Sequence, residues 1–351
     1  MSRFRLENLF FRMNAVAVVL ALSVSCTADD GCLVLEVDTD AVETVDLSDR
    51  TYHSVEFDPE YPVGRIDQVA VYDTLALIRT SGSLYGFNTG TGRLIAKYSN
   101  RGRASNEYLT VWSAGVDSGR VFLYDISSKK IMYFSVSGEL LHQTKVPQTA
   151  ADAPFQEFVR IGEGRYAGMR VFGTGEIPEL AVYDGNFRYL NDIGPMVLRS
   201  GAHFGCPFYR NEDGRVFYYR YMLNDIYLVD DSSVTGIYRI DFGRRNVPSA
   251  EGFKDEMEMI EYVNRAPDRY ATFVSDIYDS PDYFCFAYLM KSARIYAVYD
   301  KADGKVSSYS FRKGDSVLSQ VCTYKDSVYL FWQDMDGATE MTVIPLSDVL
   351  I

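Results

Sequence analysis

The feature that most constrains the fold is a phrase of four short apolar runs, joined by tight turns, that recurs along the chain. In residues 113–143, "SAGVDSGRVFLYDISSKKIMYFSVSGELLHQ", the alternation of apolar and polar residues predicts four strands separated by turns such as Asp117–Gly119. Four short antiparallel strands are the unit of a β-propeller blade. Similar phrases occupy residues 66–97, 158–193, 208–242, 277–311 and 319–346.

The spacing of these phrases predicts six blades. Most of their first turns follow one another at the interval of roughly 40 to 50 residues that is typical of a blade. The 27 Tyr and 21 Phe are also typical of a β-rich chain. The sequence therefore predicts an all-β, six-bladed β-propeller, with a β-sandwich or two smaller β domains as alternatives. The first turns lie near Asp73, Asp117, Gly162, Asp213, Asp279 and Asp326.

The sixth phrase lacks its outermost strand, and the N-terminal region can supply it. Either "AVETVDLSD", residues 41–49, or "YHSVEFD", residues 52–58, has the pattern of a short strand. A strand from this region would join the last blade to the first and so remove a free sheet edge. We therefore expect the ring to be closed by its N-terminal segment.

One segment of the chain interrupts the β pattern. Residues 248–270, "PSAEGFKDEMEMIEYVNRAPDRY", predict a helical insertion between blades 4 and 5, beginning at Pro248 and Ser249 and ending before Pro267. The helix either covers part of the central channel or packs on a blade edge, and the sequence favours neither. The positions at helical spacing are Phe253, Met257, Ile260 and Asn264.

The N-terminus has the features of an export signal. Three arginines precede an uncharged, mostly apolar run that is shorter than the roughly 20 residues needed to span a bilayer. The run ends at Ser25 and Cys26, which resembles a bacterial lipobox, although Ser23 stands where leucine is usual. The resemblance implies a signal peptide over residues 1–25 and a lipid on Cys26. The alternative is an ordinary secretory signal.

The first residues after Cys26 predict how the chain is attached to the envelope. Residues 26–40 predict an acidic tether, and residues 41–351 the propeller. Asp29 and Asp30 partly match the acidic signal of Bacteroidetes surface lipoproteins. The match favours the cell surface over the periplasmic face of the outer membrane.

The charge balance argues against nucleic acid as a partner. The chain of 351 residues carries a formal charge of -13, and removal of residues 1–25 leaves 32 basic and 47 acidic residues, a charge of -15. A surface of this sign repels phosphate backbones.

Cysteine and histidine give little support to a metal site. Beyond Cys26, the cysteines have no C-x-x-C spacing, and the three histidines have no H-E-x-x-H spacing. Cys285 and Cys322 lie in strand-like runs and are expected to be buried thiols, with a disulfide as the alternative in an exported protein. We therefore predict no metal site and no cofactor, and keep Ca²⁺ as an alternative.

The segment from "VGRIDQVAVYD" to "SAGVDSGRVFLYD" resembles the six-bladed β-propeller lipoproteins of Bacteroidetes, which are similar to the NHL and TolB-like propellers. Gly102, Glu107 and Tyr108 match the Gly-x-Gly-Pro-x-Glu-Tyr segment of that family. Ala104 and Ser105 depart from it. The resemblance covers the whole mature chain and implies a fold and a location, because most members have no assigned function.

Two loops contain the candidate binding residues. In residues 99–109, Arg101 and Arg103 have side chains suited to carboxylates, and Glu107 and Tyr108 follow closely. This loop either faces a ligand or forms an Arg–Glu clamp with Tyr108 packed between blades. His203 lies in a Gly-rich loop beside Cys206, but the sequence shows no group that would orient a Cys–His nucleophile pair.

These features predict a non-catalytic binding or scaffold module of the cell envelope. The expected partners are the membrane, through the lipid, and a glycan, a peptide or an envelope protein. The alternative is a channel-centred Ca²⁺-dependent hydrolase, lactonase or lyase. Carboxylates in turns could supply oxygen ligands for Ca²⁺, but none follows the D-x-[DN]-x-[DN]-G pattern. Asp is also common in such turns because its side chain caps them.

Overall fold

The computed structural model describes residues 31–48, 51–80, 82–98, 101–104, 106–147, 155–170, 179–194, 207–211, 213–219, 224–249, 252–334 and 337–350. In these residues, 26 strands form six sheets of four or five strands each. Four strands of every sheet pair antiparallel, and two sheets have a fifth strand that pairs in parallel. Each sheet contains one of the six recurring phrases. The predicted all-β, six-bladed propeller is therefore confirmed.

The first three strands of the chain lie apart from the recurring phrases. They are β1 (Leu33–Glu36), β2 (Val42–Asp46) and β3 (His53–Glu56). Blade 1 then consists of β4 (Ile66–Tyr72), β5 (Leu75–Thr80), β6 (Ser83–Asn88) and β7 (Leu94–Lys97). Blade 2 consists of β8 (Ser113–Asp117), β9 (Arg120–Asp125), β10 (Lys130–Phe134) and β11 (Leu140–Lys145). Blade 3 consists of β12 (Phe155–Gly162), β13 (Arg165–Arg170), β14 (Leu180–Asp184) and β15 (Tyr189–Ile193).

The second half of the ring repeats this order. Blade 4 consists of β16 (Phe208–Arg210), β17 (Val216–Tyr219), β18 (Asp225–Val229) and β19 (Val234–Asp241). Blade 5 consists of β20 (Thr272–Asp279), β21 (Tyr283–Met290), β22 (Ala293–Asp300) and β23 (Lys305–Arg312). Blade 6 consists of β24 (Val317–Tyr324), β25 (Ser327–Gln333) and β26 (Thr339–Pro345), followed by the short helix α2 (Leu346–Val349).

The innermost strand of each blade sets two faces of the disc. We call the end at which β4, β8, β12, β16, β20 and β24 begin the loop face, because the connections between blades lie there. We call the end at which these strands finish the turn face. Several turns between strands have positive φ at both central residues, as in type I′ hairpins. Examples are Ser118–Gly119 and Lys325–Asp326.

Apolar clusters between neighbouring blades hold the ring together. Between blades 1 and 2, Leu77 and Leu84 pack in one cluster with Leu123 and Met132. Between blades 2 and 3 the cluster is largely aromatic and includes a ring pair of Tyr124 and Phe155 at 5.3 Å. Because strands in the blade centres are apolar on both sides, neither face of a blade is left open to water.

The N-terminal strands form a belt, by which we mean β1, β2 and β3 on the outer edges of blades 4, 5 and 6. Strand β3 pairs antiparallel with β26, with Val55 opposite Met341, and so completes blade 6. The predicted closure is thus made by "YHSVEFD". Residues 41–49 instead supply β2, which adds a parallel fifth strand to blade 5, and β1 does the same for blade 4.

The position of β1 corrects the boundary of the predicted tether. Residues 33–36 lie within the segment 26–40, yet they pair with β19 in the sheet of blade 4. Leu35 is buried because it packs in the cluster between blades 4 and 5, where Val37 joins it. The described part of the predicted tether therefore belongs to the propeller.

The insertion between blades 4 and 5 contains helix α1 (Glu256–Asn264), which is shorter than the predicted segment 248–270. It begins at Asp255 rather than at Pro248, because the Asp255 carboxylate accepts a hydrogen bond from the Glu258 N–H at 3.0 Å. The buried side of α1 is Met259, Ile260 and Val263, whereas Met257 is exposed.

The apolar cluster of α1 shows how the insertion is attached. The cluster consists of the insertion's own residues and of Phe273, on the inner strand β20 of blade 5. A short 3₁₀-helix (Gly243–Arg245) leads into the insertion from β19. This packing attaches the insertion to blade 5 through its inner strand.

Candidate functional site

Polar side chains from three blades meet on the inner strands near the loop face. Arg79 on β5 donates its Nε–H to Gln68 Oε1 on β4 at 3.1 Å. Gln68 in turn donates to the Ala114 carbonyl of blade 2 at 3.2 Å. Beside Ala114, the Ser113 hydroxyl donates to the Glu157 carboxyl of blade 3. This group of side chains is the candidate site.

Glu157 is the most strongly perturbed group of the candidate site. Its side chain is 2% exposed. Burial raises the pKa of Glu157 to about 8, although the Ser113 hydroxyl and the charge of Arg79 both act to lower it. At neutral pH the carboxyl group is therefore mostly protonated and uncharged.

A second polar group lies on the inner strand of blade 5. Asp276 accepts hydrogen bonds from the Ser275 hydroxyl at 2.8 Å and from Arg294 Nη1 at 3.2 Å. Burial raises the pKa of Asp276 against the opposing charge of Arg294. Phe273 and Asp276 have φ of 55° and 54°, at two interruptions of the β20–β21 register. Left-handed backbone is costly for residues other than glycine, so this part of β20 is strained.

The structure divides the predicted binding loop into a buried part and an exposed part. Tyr108 is 1% exposed and packs between blades 1 and 2. The Glu107 carboxylate accepts a hydrogen bond from the Ala104 N–H at 2.7 Å, which closes the loop on itself. Arg101 and Arg103 are exposed. Of the four residues, only the two arginines are therefore open to a ligand.

Two contacts explain the conformation of this loop. A Cβ atom at position 102 would lie 2.0 Å from Glu107 Oε2, so the close approach requires glycine there. Below the loop, the buried Asp125 carboxylate accepts bonds from the Leu109 N–H at 2.7 Å and the Thr110 hydroxyl at 2.8 Å. The loop is therefore fastened to blade 2.

The other cysteines and histidines considered in the sequence analysis do not form a site among the described residues. Cys26, His203 and Cys206 lie outside the described residues. His53 hydrogen-bonds the Thr89 carbonyl at 3.2 Å, and His142 stacks on Tyr133 with ring centroids 4.5 Å apart. In the part of the chain that the structure describes, no group of three or more His, Cys, Asp or Glu side chains could hold a metal ion.

Charges at the turn face pair with one another across the blade boundaries. Asp279 of blade 5 is the clearest case, since its buried carboxylate bonds Arg215 of blade 4 at 2.9 Å and Lys301 at 2.7 Å. These pairs link neighbouring blades at the turn face. Other contacts across boundaries there are Arg160–Asp117 at 3.8 Å, Arg165–Asp231 at 2.8 Å and Tyr278–Asp326 at 3.1 Å.

The sequence analysis missed Gln68, Arg79, Glu157, Asp276 and Arg294. A signal was present for two of them, because Arg79 in "LALIRTSG" and Glu157 in "FQEFVRIG" are charged residues inside apolar strands. Such residues are buried only with partners. The blades from which those partners come cannot be read from the local sequence.

Comparison with known proteins identifies the family. The model of the domain of unknown function DUF4934 matches residues 58–341, which span five of the recurring phrases and most of the sixth. The chain belongs to the DUF4934 family. The predicted resemblance to propellers of Bacteroidetes without an assigned function is thereby confirmed.

Solved structures share the fold of this DUF4934 chain. One is a Bacteroides fragilis protein that is predicted to be exported, with a TM-score of 0.69 and 15% identity over 90% of this chain and 99% of that chain. Another is a DUF4221 family member from Bacteroides vulgatus, with a TM-score of 0.55 and 10% identity over 84% and 97% of the two chains. At these identities the similarity concerns the fold alone.

More distant comparisons add no functional information. A virginiamycin B lyase from Staphylococcus aureus has a TM-score of 0.45 and 9% identity over 83% of this chain and 97% of that chain, too low to support an argument. A search of curated proteins found no match. Among the helices of the described residues, none is long and apolar enough to cross a membrane.

Proposed function

We propose that this chain is a lipid-anchored envelope protein that binds a ligand at its loop face without transforming it. The observation that carries the proposal is the pair of exposed arginines, Arg101 and Arg103, on a loop that Tyr108 and Asp125 fasten to the ring. A loop held in one conformation binds with a smaller loss of conformational entropy than a free one. On the turn face, by contrast, several charges already pair across blades.

Binding is preferred to catalysis because the two buried acids of the inner strands, Glu157 and Asp276, are engaged with other side chains. Glu157 bonds Ser113 and is almost fully buried. Asp276 pairs with Arg294. A general acid or base must come within hydrogen-bond reach of a substrate, and these contacts leave little room for that. The Ca²⁺-dependent hydrolase, lactonase or lyase therefore has no specific observation in its favour.

The belt is compatible with a short membrane anchor. Cys26 precedes Cys32 by six residues, which span at most about 20 Å when fully extended. Strand β1 follows directly, on the outer edge of blade 4. A lipid on Cys26 would hold that rim near the outer membrane and leave the loop face open to a glycan, a peptide or an envelope protein. The proposed location is the cell surface.

Anchoring is tested by metabolic labelling of the full chain with an alkyne-bearing fatty acid. We expect label on the wild type, none on Cys26→Ser, and digestion of the anchored chain by protease added to intact cells. Equal labelling of both proteins would contradict the lipid site. Protection of a labelled chain in intact cells, with digestion after lysis, would move it to the periplasmic face.

Binding is tested by thermal shift of the chain from residue 31, screened against glycans and peptides. We expect at least one probe to raise the melting temperature, as any ligand of the folded state does. The double variant Arg101→Ala, Arg103→Ala should lose that shift, while the exposed pair Arg93→Ala, Arg188→Ala should keep it. A shift that survives the first double variant would contradict the assignment of the loop.

A further inference from the structure

Arg79 differs from the other partly buried arginines of the chain. Among the described residues, seven arginines are buried or partly buried, and six of them have a carboxylate within 4.0 Å. Arg79 has none. A partly buried guanidinium is commonly paired with a carboxylate, because desolvation of a charge is costly. The six pairs are Arg120–Asp117, Arg160–Asp117, Arg170–Asp192, Arg239–Asp225, Arg245–Asp40 and Arg294–Asp276.

The orientation of the Arg79 side chain is fixed. Its Nε–H donates to Gln68 Oε1 at 3.1 Å, and Gln68 is itself held by the Ala114 carbonyl. These two bonds link the side chain to blades 1 and 2. They use only one of the five N–H donors of the guanidinium, and the described residues provide no bond or ion pair for its two terminal nitrogens.

Glu157, the acid whose pKa the charge of Arg79 acts to lower, does not neutralise that charge. The charge of Arg79 influences Glu157, but burial keeps Glu157 mostly protonated at neutral pH. Glu157 also bonds Ser113. The positive charge of Arg79 is therefore retained inside a chain of net charge -13.

The surroundings of Arg79 are apolar and lie toward the loop face. The side chains of Gln68, Val69, Ala70, Leu77, Leu84 and Ala114 pack beside it and leave no space for a water molecule between them. Two residues after the end of β5, a Cβ atom at Gly82 would lie 3.7 Å from Arg101 Nη1. The exposed Arg101 is thus near the same end of blade 1.

We propose that Arg79 anchors a binding site for the carboxylate group of a small ligand that enters from the loop face. The terminal nitrogens of a guanidinium match the two oxygens of a carboxylate, and this match is the commonest use of a fixed arginine fork. The inference rests on the proposed binding function and specifies the chemical class of its ligand.

Calorimetric titration of the chain from residue 31 tests this site with matched pairs of probes. The pairs are N-acetyl-L-alanine with N-acetyl-L-alaninamide, and D-galacturonate with D-galactose. We expect the carboxylate of at least one pair to bind and its neutral partner not to bind. Binding of the acyl amino acid identifies a peptide carboxyl terminus as the source, and binding of the sugar acid identifies an acidic glycan.

Variants assign any binding to Arg79. Arg79→Gln should weaken binding by about tenfold or more, since it removes a charge-assisted pair of bonds. Arg79→Lys keeps the charge but not the fork and should also weaken it. Arg93→Gln, on an exposed turn, should bind as the wild type does. Melting temperatures of all variants establish that they are folded.

Two results would overturn the inference. One is equal binding of a carboxylate and its neutral partner, and the other is full binding by a folded Arg79→Lys and Arg79→Gln. If neither carboxylate binds while other probes bind in a manner that depends on Arg101 and Arg103, the carboxylate site fails and the proposed function stands. If no probe binds at all, both fail.

Discussion

Two buried carboxyl groups in this propeller have pKa shifts of opposite direction, and hydrogen bonding explains the difference. Glu157 has the Ser113 hydroxyl as its donor, so burial dominates and raises its pKa to about 8. Burial also acts to raise the pKa of Asp125. Six hydrogen bonds from Leu109, Thr110 and the Ser127–Ser128 turn outweigh it, and the pKa of Asp125 is lowered.

Glu157 should make stability fall as the pH rises. Its folded-state pKa of about 8 exceeds the ordinary value of 4.5, so between these values the folded chain keeps a proton that the unfolded chain has released. The stabilisation from this proton is complete below pH 4.5 and is lost as the pH rises toward about 8. In this range the free energy of unfolding falls by up to about 1.4 kcal/mol per pH unit. Glu157→Gln should remove this decline in urea unfolding between about pH 5 and about pH 8.

The matched control for Glu157 is the exposed Glu139. Glu139→Gln should retain the wild-type dependence on pH, because an exposed carboxyl group gains little from folding. If the free energy of unfolding falls with pH equally steeply in Glu157→Gln and in the wild type, Glu157 is not protonated in the folded chain.

Asp125 should be a stabilising residue of the loop face. Asp125→Ala leaves the partly buried N–H groups of Leu109 and Thr110 without an acceptor, so we expect a loss of about 2 kcal/mol in the free energy of unfolding. Asp230 caps an exposed turn through Ser232 and Ser233 in the same way, and Asp230→Ala should cost less than about 1 kcal/mol. Chemical denaturation measures both, and equal losses would contradict the role of burial.

At the scale of secondary structure, the belt is the element that departs most from a plain propeller. Strands β1 and β2 pair in parallel with strands that already complete four-stranded blades. Their inward side chains, among them Leu35 and Val45, enter clusters between blades. The belt therefore stabilises the second half of the ring through apolar burial as well as backbone hydrogen bonds.

Neighbouring belt residues should differ sharply in their effect on stability. Leu35 is 1% exposed and Val34 is 39% exposed. Leu35→Ala should lower the free energy of unfolding by about 3 kcal/mol, since it leaves a cavity in a packed cluster. Val34→Ala should change it by less than about 1 kcal/mol. Urea unfolding followed by tryptophan fluorescence tests the pair, and a small effect of both would mean that the belt is not packed in solution.

At the scale of the whole molecule, closure depends on one short strand. Strand β3 is the outermost strand of blade 6, and Phe57 directly after it stacks on Phe87 of blade 1 at 4.6 Å. Strand β3 therefore belongs to the sheet of blade 6, while the chain that follows it continues directly into blade 1. The Phe57–Phe87 ring contact adds aromatic packing between the two blades. An open ring would instead expose the edge of β26.

Two truncations should separate closure from the rest of the belt. Removal of residues 1–48 deletes β1 and β2 but keeps β3, so we expect a monomer with a lower melting temperature. Removal of residues 1–57 also deletes β3 and Phe57, so we expect a further drop and self-association through the edge of β26. Light scattering and thermal unfolding give the comparison. Equal behaviour of both truncations would show that β3 does not close the ring.

Local sequence was sufficient for the blades and insufficient for the candidate site. Alternation of apolar residues and turn residues depends on near neighbours, so the six phrases and their order follow from the sequence. The ends of helix α1 did not follow, because Asp255 and Glu258 stabilise its start more than the proline at 248 does. The bonds from Ser113 to Glu157 and from Gln68 to the Ala114 carbonyl did not follow either, since each joins two blades.

By itself the sequence determined the strand pattern, the number of blades and the need for an N-terminal closing strand, because each depends on periodicity and on turns between adjacent residues. Only the tertiary structure decided which segment closes the ring, which charges pair across blades and which partly buried arginine, among the described residues, has no carboxylate partner. Those features depend on contacts between residues far apart in the chain, and only the closed ring brings such residues to within hydrogen-bonding distance.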